Sequence, residues 1–311
     1  MRIYFFLFYT LVINVLPGIH CAIGYAISNS ILIEGVDGNI IVDTLESRES
    51  AMELHEKFQE ISTKPIVGII YTHNHADHVF GADVLAGSNA KNVKVYSHST
   101  TRRLIDSAAS IVEMINIQRS ARQFGRYLTE AMGHLNNGVG LSSSYRNTST
   151  RGLLYPTDTF NNDSWHVTIG GRDFILYHTP GETDDQIAVY MPNEKVLFPG
   201  DNIYKSFPNI YSIRGTTTRN AIQWASSLDL MRNLRPEYLI PSHTKPLTGA
   251  AHIYDVITKY RDAIQFVHDQ TVRFMNQGLT PNEIIGEKRI QLPKQLQENP
   301  HLQQFYGTVD W

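Results

Sequence analysis

The 311-residue chain has one cysteine, Cys21. It cannot form an internal disulfide, and a zinc site built from thiolates is excluded. It also lacks a basic run. Its 27 Lys and Arg are mixed with 30 Asp and Glu for a net charge of −3, so nothing suggests a nucleic-acid partner. That small net charge argues equally against an electrostatic trap for polyanions. An apolar run of membrane-spanning length is missing too. The longest, Ile3 to Leu16, has about 14 residues, where a spanning helix needs about 20. It follows Arg2 and ends at Pro17-Gly18, so residues 1–22 read as a secretory signal, with cleavage near Cys21-Ala22 or Gly24 to Ala26. A buried strand or helix of the fold is the competing reading of the same residues. Secretion or delivery to an endomembrane lumen would follow from the signal, and the mature chain would then hold no thiol. The sequons Asn147-Thr148-Ser149 and Asn162-Asp163-Ser164 fit such a route.

With 42% hydrophobic residues the chain can bury a sizeable core. Two β-branched runs, Ile31–Ile33 and Ile40–Val42, flank Asp37-Gly38 and predict a hairpin. Ala51, Leu54, Phe58 and Ile61 share one face of a helix over 46–61. Ile66 to Tyr71 is apolar on both faces, as a central strand is. Another strand is expected near 93–96 and a helix over 100–124. A long Gly-, Ser- and Asn-rich loop then runs over 125–164, of the kind that serves as a lid. Strands follow near 165–168, 173–178, 187–191 and 195–198, then a helix over 218–234 and a short strand at 238–241. A last helix is expected over 251–276, with Gly278 as its cap. Strand and helix groups in this order suit two sheets with helices outside them.

The chemistry concentrates in Thr72-His73-Asn74-His75-Ala76-Asp77-His78, just past a strand's carboxyl end. Alternate residues of an extended segment point the same way, so His73 and His75 can grip one cation. As the chain turns into a helix, Asp77 and His78 swing toward a second. Further ligands are needed, and later strand ends supply Glu182, Asp201 and His243. His178, at the head of His178-Thr179-Pro180-Gly181-Glu182, is a rival to Glu182 as ligand, or a residue that orients one.

These motifs resemble the metallo-β-lactamase superfamily over roughly residues 30–250. Within it they are similar to the zinc-dependent alkyl sulfatases. Those enzymes also place a glutamate after the Pro-Gly of the third motif, and follow the bridging carboxylate with Arg-Gly, here Arg214-Gly215. Tyr155-Pro156-Thr157-Asp158-Thr159-Phe160 is similar to that branch as well. Two departures stand out: the bridging position is Asp201 where alkyl sulfatases usually carry Glu, and the third motif opens His-Thr-Pro-Gly, as in the wider superfamily.

The resemblance implies an α/β fold, an αββα sandwich of two mixed sheets, over residues 27–250. The helical extension 251–311 is similar to the start of an alkyl sulfatase dimerisation region. That family normally continues past this point, whereas the sequence stops at Trp311, so homodimerisation is an open expectation. The resemblance also implies a binuclear site for two divalent ions, zinc by its histidine content, although iron or manganese would tolerate the oxygen ligands. His73, His75 and Glu182 would hold one ion and Asp77, His78 and His243 the other, with Asp201 bridging. Asp77 and Asp201 would be the catalytic carboxylates, around a hydroxide shared by the two ions. The implied activity is hydrolysis of a small anionic sulfuric ester, an alkyl sulfate. Arg214 would hold the sulfate, with Arg219 and Lys205 as further cations. Hydrolysis of another ester, a thioester, a lactam or a phosphodiester is the alternative, and so is a non-catalytic metal-binding relative.

Overall fold

The computed structural model describes residues 10–141 and 148–310. Asn147 of the first sequon and the apolar run before Thr10 lie outside these residues.

Among the described residues, seven strands and five α-helices make the first half. β1 (Leu11–Leu16) and β2 (Ile19–Ile23) form a hairpin, and β3 (Ser30–Ile33) and β4 (Asn39–Val42) extend it antiparallel. α1 (Arg48–Ile61) carries the chain back, so that β5 (Ile66–Ile70) pairs parallel with β4. The short helices α2 (Ala76–Val79) and α3 (Ala82–Ala86) lead to β6 (Lys94–His98), parallel to β5. α4 (Thr101–Asp106) and α5 (Glu113–Gln123) precede β7 (Asp158–Phe160), which closes the first sheet. The second sheet follows as β8 (Ser164–Ile169), β9 (Arg172–His178), β10 (Ile187–Met191) and β11 (Val196–Phe198), all antiparallel neighbours. After α6 (Ala221–Asn233), β12 (Tyr238–Leu239) joins parallel to β11, and β13 (Leu247–Thr248) pairs antiparallel with β12. α7 (Ala250–Asn276), α8 (Pro281–Gly286) and α9 (Lys294–Gln297) end the chain.

Strand alternation sorts the side chains into layers. Ile31, Ile33, Ile40, Val42 and Ile70 face the second sheet and meet Phe174, Leu176, Val189 and Met191. Leu32, Ile41 and Ile69 point the other way, onto Leu54 and Phe58 of α1. Burying a side chain of that size contributes about 1.5–3 kcal/mol. On the far side, Trp224 and Leu228 of α6 and Ile253, Ile257 and Tyr260 of α7 cover the second sheet. The result is helix, sheet, sheet, helix.

The stretch 11–22, expected to be either the later part of a leader or a buried element of the fold, forms β1 and most of β2, with Ile19 and Cys21 fully buried. Burial pushes the Cys21 thiol up to about 12, so it stays neutral packing. The helix expected over 100–124 is interrupted by a wide π turn at Ser107–Ile111, where no Pro or Gly announces a break. α7 opens the C-terminal helical part expected after residue 250, and its buried stripe packs on α6. Leu296 and Leu302 of the tail join the same cluster.

Among the described residues no helix is long and apolar enough to cross a membrane.

Candidate metal centre

The site lies where strands of both sheets end, in loops beyond their carboxyl termini. β5 ends at Ile70, and the chain bends through residues 72–74 before the extended His75 leads into α2. This places His73 and His75 side by side, with Nε2 of the first 3.0 Å from Nδ1 of the second. α2 then directs Asp77 and His78 to the neighbouring position, where Asp77 Oδ2 is 3.3 Å from His78 Nε2.

The remaining groups come from the second sheet. Gly181 leaves room for Asn202 and Trp224, which an added Cβ would strike at 2.4 and 2.7 Å. Asn202 Oδ1 accepts a hydrogen bond from the Glu182 amide at 2.9 Å and so fixes the turn that presents Glu182. Glu182 Oε2 stands 3.1 Å from His75 Nδ1 and 3.8 Å from His73 Nε2. Gly200, at φ +58°, makes the turn after β11 that aims Asp201 inward, and a Cβ there would meet Gln186 Nε2 at 1.8 Å. Asp201 Oδ2 lies 3.7 Å from His73 Nε2, 3.5 Å from His78 Nε2 and 3.2 Å from His243 Nε2. It touches both groups. His243, after β12, is 3.4 Å from Asp77 Oδ2 and is oriented through Nδ1 by the Ile27 carbonyl at 2.9 Å.

All seven residues singled out as ligands therefore converge. They fall into two clusters, His73, His75, Glu182 and Asp201, and Asp77, His78 and His243, with donor atoms within 4.8 Å of one another in each. The buried atoms His78 Nε2, Glu182 Oε2 and Asp201 Oδ1 have no hydrogen-bond partner. Left so, each would cost stability, whereas a cation facing them would use every lone pair. The donor set of imidazoles and carboxylates is that of a divalent ion.

Charge is balanced within the site. Burial would raise the Asp201 and Asp77 carboxyls, but His243 and His78 beside them hold both well below the usual range. Burial, with His73, Arg214 and Arg219 near, keeps His75 well below an ordinary histidine and hence neutral. Burial works against a charge on His78 too, yet Asp77, Asp201 and Asp43 raise it well above its ordinary value, and Asp201 and Asp77 do the same for His243. A cation must displace a proton from each of these two rings. Metal affinity should therefore climb as pH rises toward their raised values and fall below them. Titration calorimetry in two buffers of different ionisation enthalpy checks this. The apparent enthalpy should differ between buffers at neutral pH, and identical enthalpies would contradict proton release.

One residue essential to this geometry was not singled out from the sequence. Asp43, fully buried at the end of β4 and at φ 58°, accepts from the Thr72 amide and hydroxyl at 2.9 Å each and from Ser242 Oγ at 2.7 Å. Its Oδ2 also takes the Nδ1 proton of His78 at 2.9 Å, which leaves Nε2 free to face a cation. A carboxylate just past a strand's carboxyl end is the same signal that marked His73. Asp43→Asn should weaken metal binding about 10- to 100-fold with the fold intact. Competition with a chromophoric chelator measures it, and unchanged affinity would deny the orienting role.

Arg219 and Lys205, expected as further substrate cations, stand away from the cavity lining. Arg219 is buried, with its guanidinium committed to Glu182 Oε1 and to the Asn209 carbonyl at 2.5 Å. It compensates a buried carboxylate and does not line the cavity over the site. Lys205 is exposed and lies outside that cavity. His178 stands apart from the cluster. It stacks on His98 at 4.0 Å and meets the Asp184 carbonyl at 2.8 Å.

Arg214 does line the cavity. Its guanidinium lies 5.7 Å from the Phe124 ring centroid, it hydrogen-bonds Tyr306, and its Nη1 is buried without a partner. The cavity, about 800 Å³, is lined by the apolar Leu104, Ala108, Val112 and Ile117 together with Asp77, Glu182, Asp201 and His243.

A two-sheet sandwich with this cluster at one end defines a class. The sequence pattern of the metallo-β-lactamase superfamily matches residues 23–243, and the chain belongs to that superfamily. It is 36% identical over 284 residues to a linear primary-alkylsulfatase of Pseudomonas sp. (strain ATCC 19151), covering 89% of this chain and 53% of that protein. It is 32% identical over 295 residues to the alkyl/aryl-sulfatase BDS1 of Saccharomyces cerevisiae, covering 92% and 45%. The solved structure of the stereoselective inverting sec-alkylsulfatase Pisa1 from Pseudomonas sp. superposes with a TM-score of 0.88 at 27% identity, over 97% of this chain and 48% of that one. The chain thus spans about half the length of the curated relatives it matches.

Proposed function

We propose that the protein hydrolyses sulfuric esters of alkyl alcohols with a pair of divalent ions, zinc by the histidine content of the site. The observation that carries this reading is Arg214. A guanidinium with a buried, unpartnered nitrogen borders a mostly apolar cavity that the carboxylate and imidazole cluster also lines. That combination suits a small anionic head on an apolar tail.

His73, His75 and Glu182 would hold one ion and Asp77, His78 and His243 the other, with Asp201 between them. When bound, the ions supply Lewis acidity toward the ester oxygens and toward water. Arg214 binds two non-bridging sulfate oxygens at once through its planar fork. The Phe124 ring excludes water from one side of that guanidinium, and Tyr306 orients it. Asp77, the more exposed of the two carboxylates near His243, takes the proton of the attacking water at Oδ2. Leu104, Ala108, Val112 and Ile117 receive the alkyl tail. Export is compatible with this reading if a leader ends before β1, because cleavage at residue 22 would strip two strands from the sheet.

The test is a panel of alkyl sulfates, alkyl phosphates, thioesters and β-lactams offered to the purified, metal-loaded protein. Sulfate release should dominate. A dominant rate on another bond would keep the metal centre and reject the substrate class.

A further inference from the structure

The wall over the cavity is apolar on both sides. α5 and the π turn before it line the cavity with Val112, Ile117 and Ala121, yet the same segment turns Ile111 and Met114 to solvent, 81% and 70% exposed. Leu128 is at once cavity wall and about half exposed. A surface helix of a soluble domain normally buries one apolar stripe and shows polar residues elsewhere. Exposed apolar groups concentrated at a ligand entrance mark a surface that meets another apolar phase.

The charge of this stretch identifies the phase. Residues 101–128 hold five arginines and two acidic residues, in a chain whose net charge is −3. Arg103 and Arg122 are exposed on it. Basic and apolar side chains together on one helical segment are the composition of helices that lie in an anionic interface.

We propose that the segment 101–128 docks on an amphiphile–water interface bearing anionic head groups, from which the cavity draws its substrate. The second half of this statement rests on the sulfuric ester reading; the first does not. Docking there would place the cavity entrance against the acyl layer, so an amphiphile could pass from interface to site without exposing its tail to water. A second copy of this chain covering the same residues is the competing occupant.

The test is flotation of the full chain with phosphatidylcholine vesicles doped with hexadecanesulfonate, an anionic amphiphile with no ester bond to cleave. Undoped vesicles and vesicles doped with a cationic amphiphile are the other arms. The chain should float with the sulfonate vesicles alone, and less so at high salt. The double variant Ile111→Ser, Met114→Ser should float about tenfold less, a loss of about 1.4 kcal/mol, with melting temperature, metal content and turnover of a short monomeric alkyl sulfate unchanged. Arg103→Glu with Arg122→Glu should lose the salt-sensitive part. Equal flotation of wild type and variants, or none by either, would overturn the proposal. So would a wild-type dimer that the Ile111, Met114 variant abolishes, since the second copy would then be the occupant. If vesicles are bound but no sulfate ester is hydrolysed, docking stands and the substrate reading falls; hydrolysis without vesicle binding gives the reverse.

Discussion

Asp201→Ala should lower turnover of an alkyl sulfate about a thousandfold or more, the largest effect expected of any single change. Among the described residues Asp201 is the one carboxylate within 4.0 Å of histidines of both clusters, at 3.7 Å from His73 and 3.5 Å from His78. Its removal leaves neither cluster complete and brings His78 and His243 into opposition without the charge between them. Lewis-acid stabilisation by an ion contributes several kcal/mol, and each 1.36 kcal/mol is a tenfold rate, which sets the magnitude. Metal content should fall together with turnover, as read by elemental analysis of the dialysed variant. Turnover above about a tenth of the wild-type rate would show that Asp201 is not shared between the clusters.

Arg214→Ala should cost about 10²–10³ in turnover of sulfate esters, the range for removing one preorganised group that stabilises developing charge. Metal content should change little, because Arg214 packs on Phe124 and bonds Tyr306, and it reaches Glu182 and Asp77 only as a nearby charge. Arg214→Lys should recover only part of the loss, since an ammonium cannot offer two parallel donors to two sulfate oxygens. Steady-state kinetics with elemental analysis checks both variants. Unchanged turnover, or loss of metal, would take Arg214 out of sulfate binding.

The sequence and the structure agree most closely where a local pattern has a single physical meaning. Asp37-Gly38 between β-branched runs is a hairpin, and the His73 to His78 spacing does bring three imidazoles and a carboxylate into two neighbouring groups. Glu182, Asp201 and His243 were found as polar residues just past strand ends, a rule of position that the fold then satisfies. What the sequence leaves open has physical causes too. The apolar stretch 11–22 suits a leader and a buried hairpin equally well, and its pairing with Ile31 to Ile33 is visible only in the fold. The break at Ser107–Ile111 has no helix-breaking residue, because an i to i+5 turn adds one residue without changing composition.

Arg219 and Arg214 differ in ways no spacing reveals. Both follow the fourth motif, but Arg219 is paired with the buried Glu182, whereas Arg214 lines the cavity. Asp43 was passed over for a related reason. It lies just past an apolar strand, and its value comes from Thr72, Ser242 and His78, all of them distant from it in sequence.

Counting metal ions in the purified chain tests the central claim most directly. Mass spectrometric elemental analysis should find two divalent ions per chain, and chelation should remove them together with alkyl sulfate hydrolysis, which zinc should restore. One ion or none after loading, or hydrolysis that survives complete chelation, would contradict the paired centre on which the function depends.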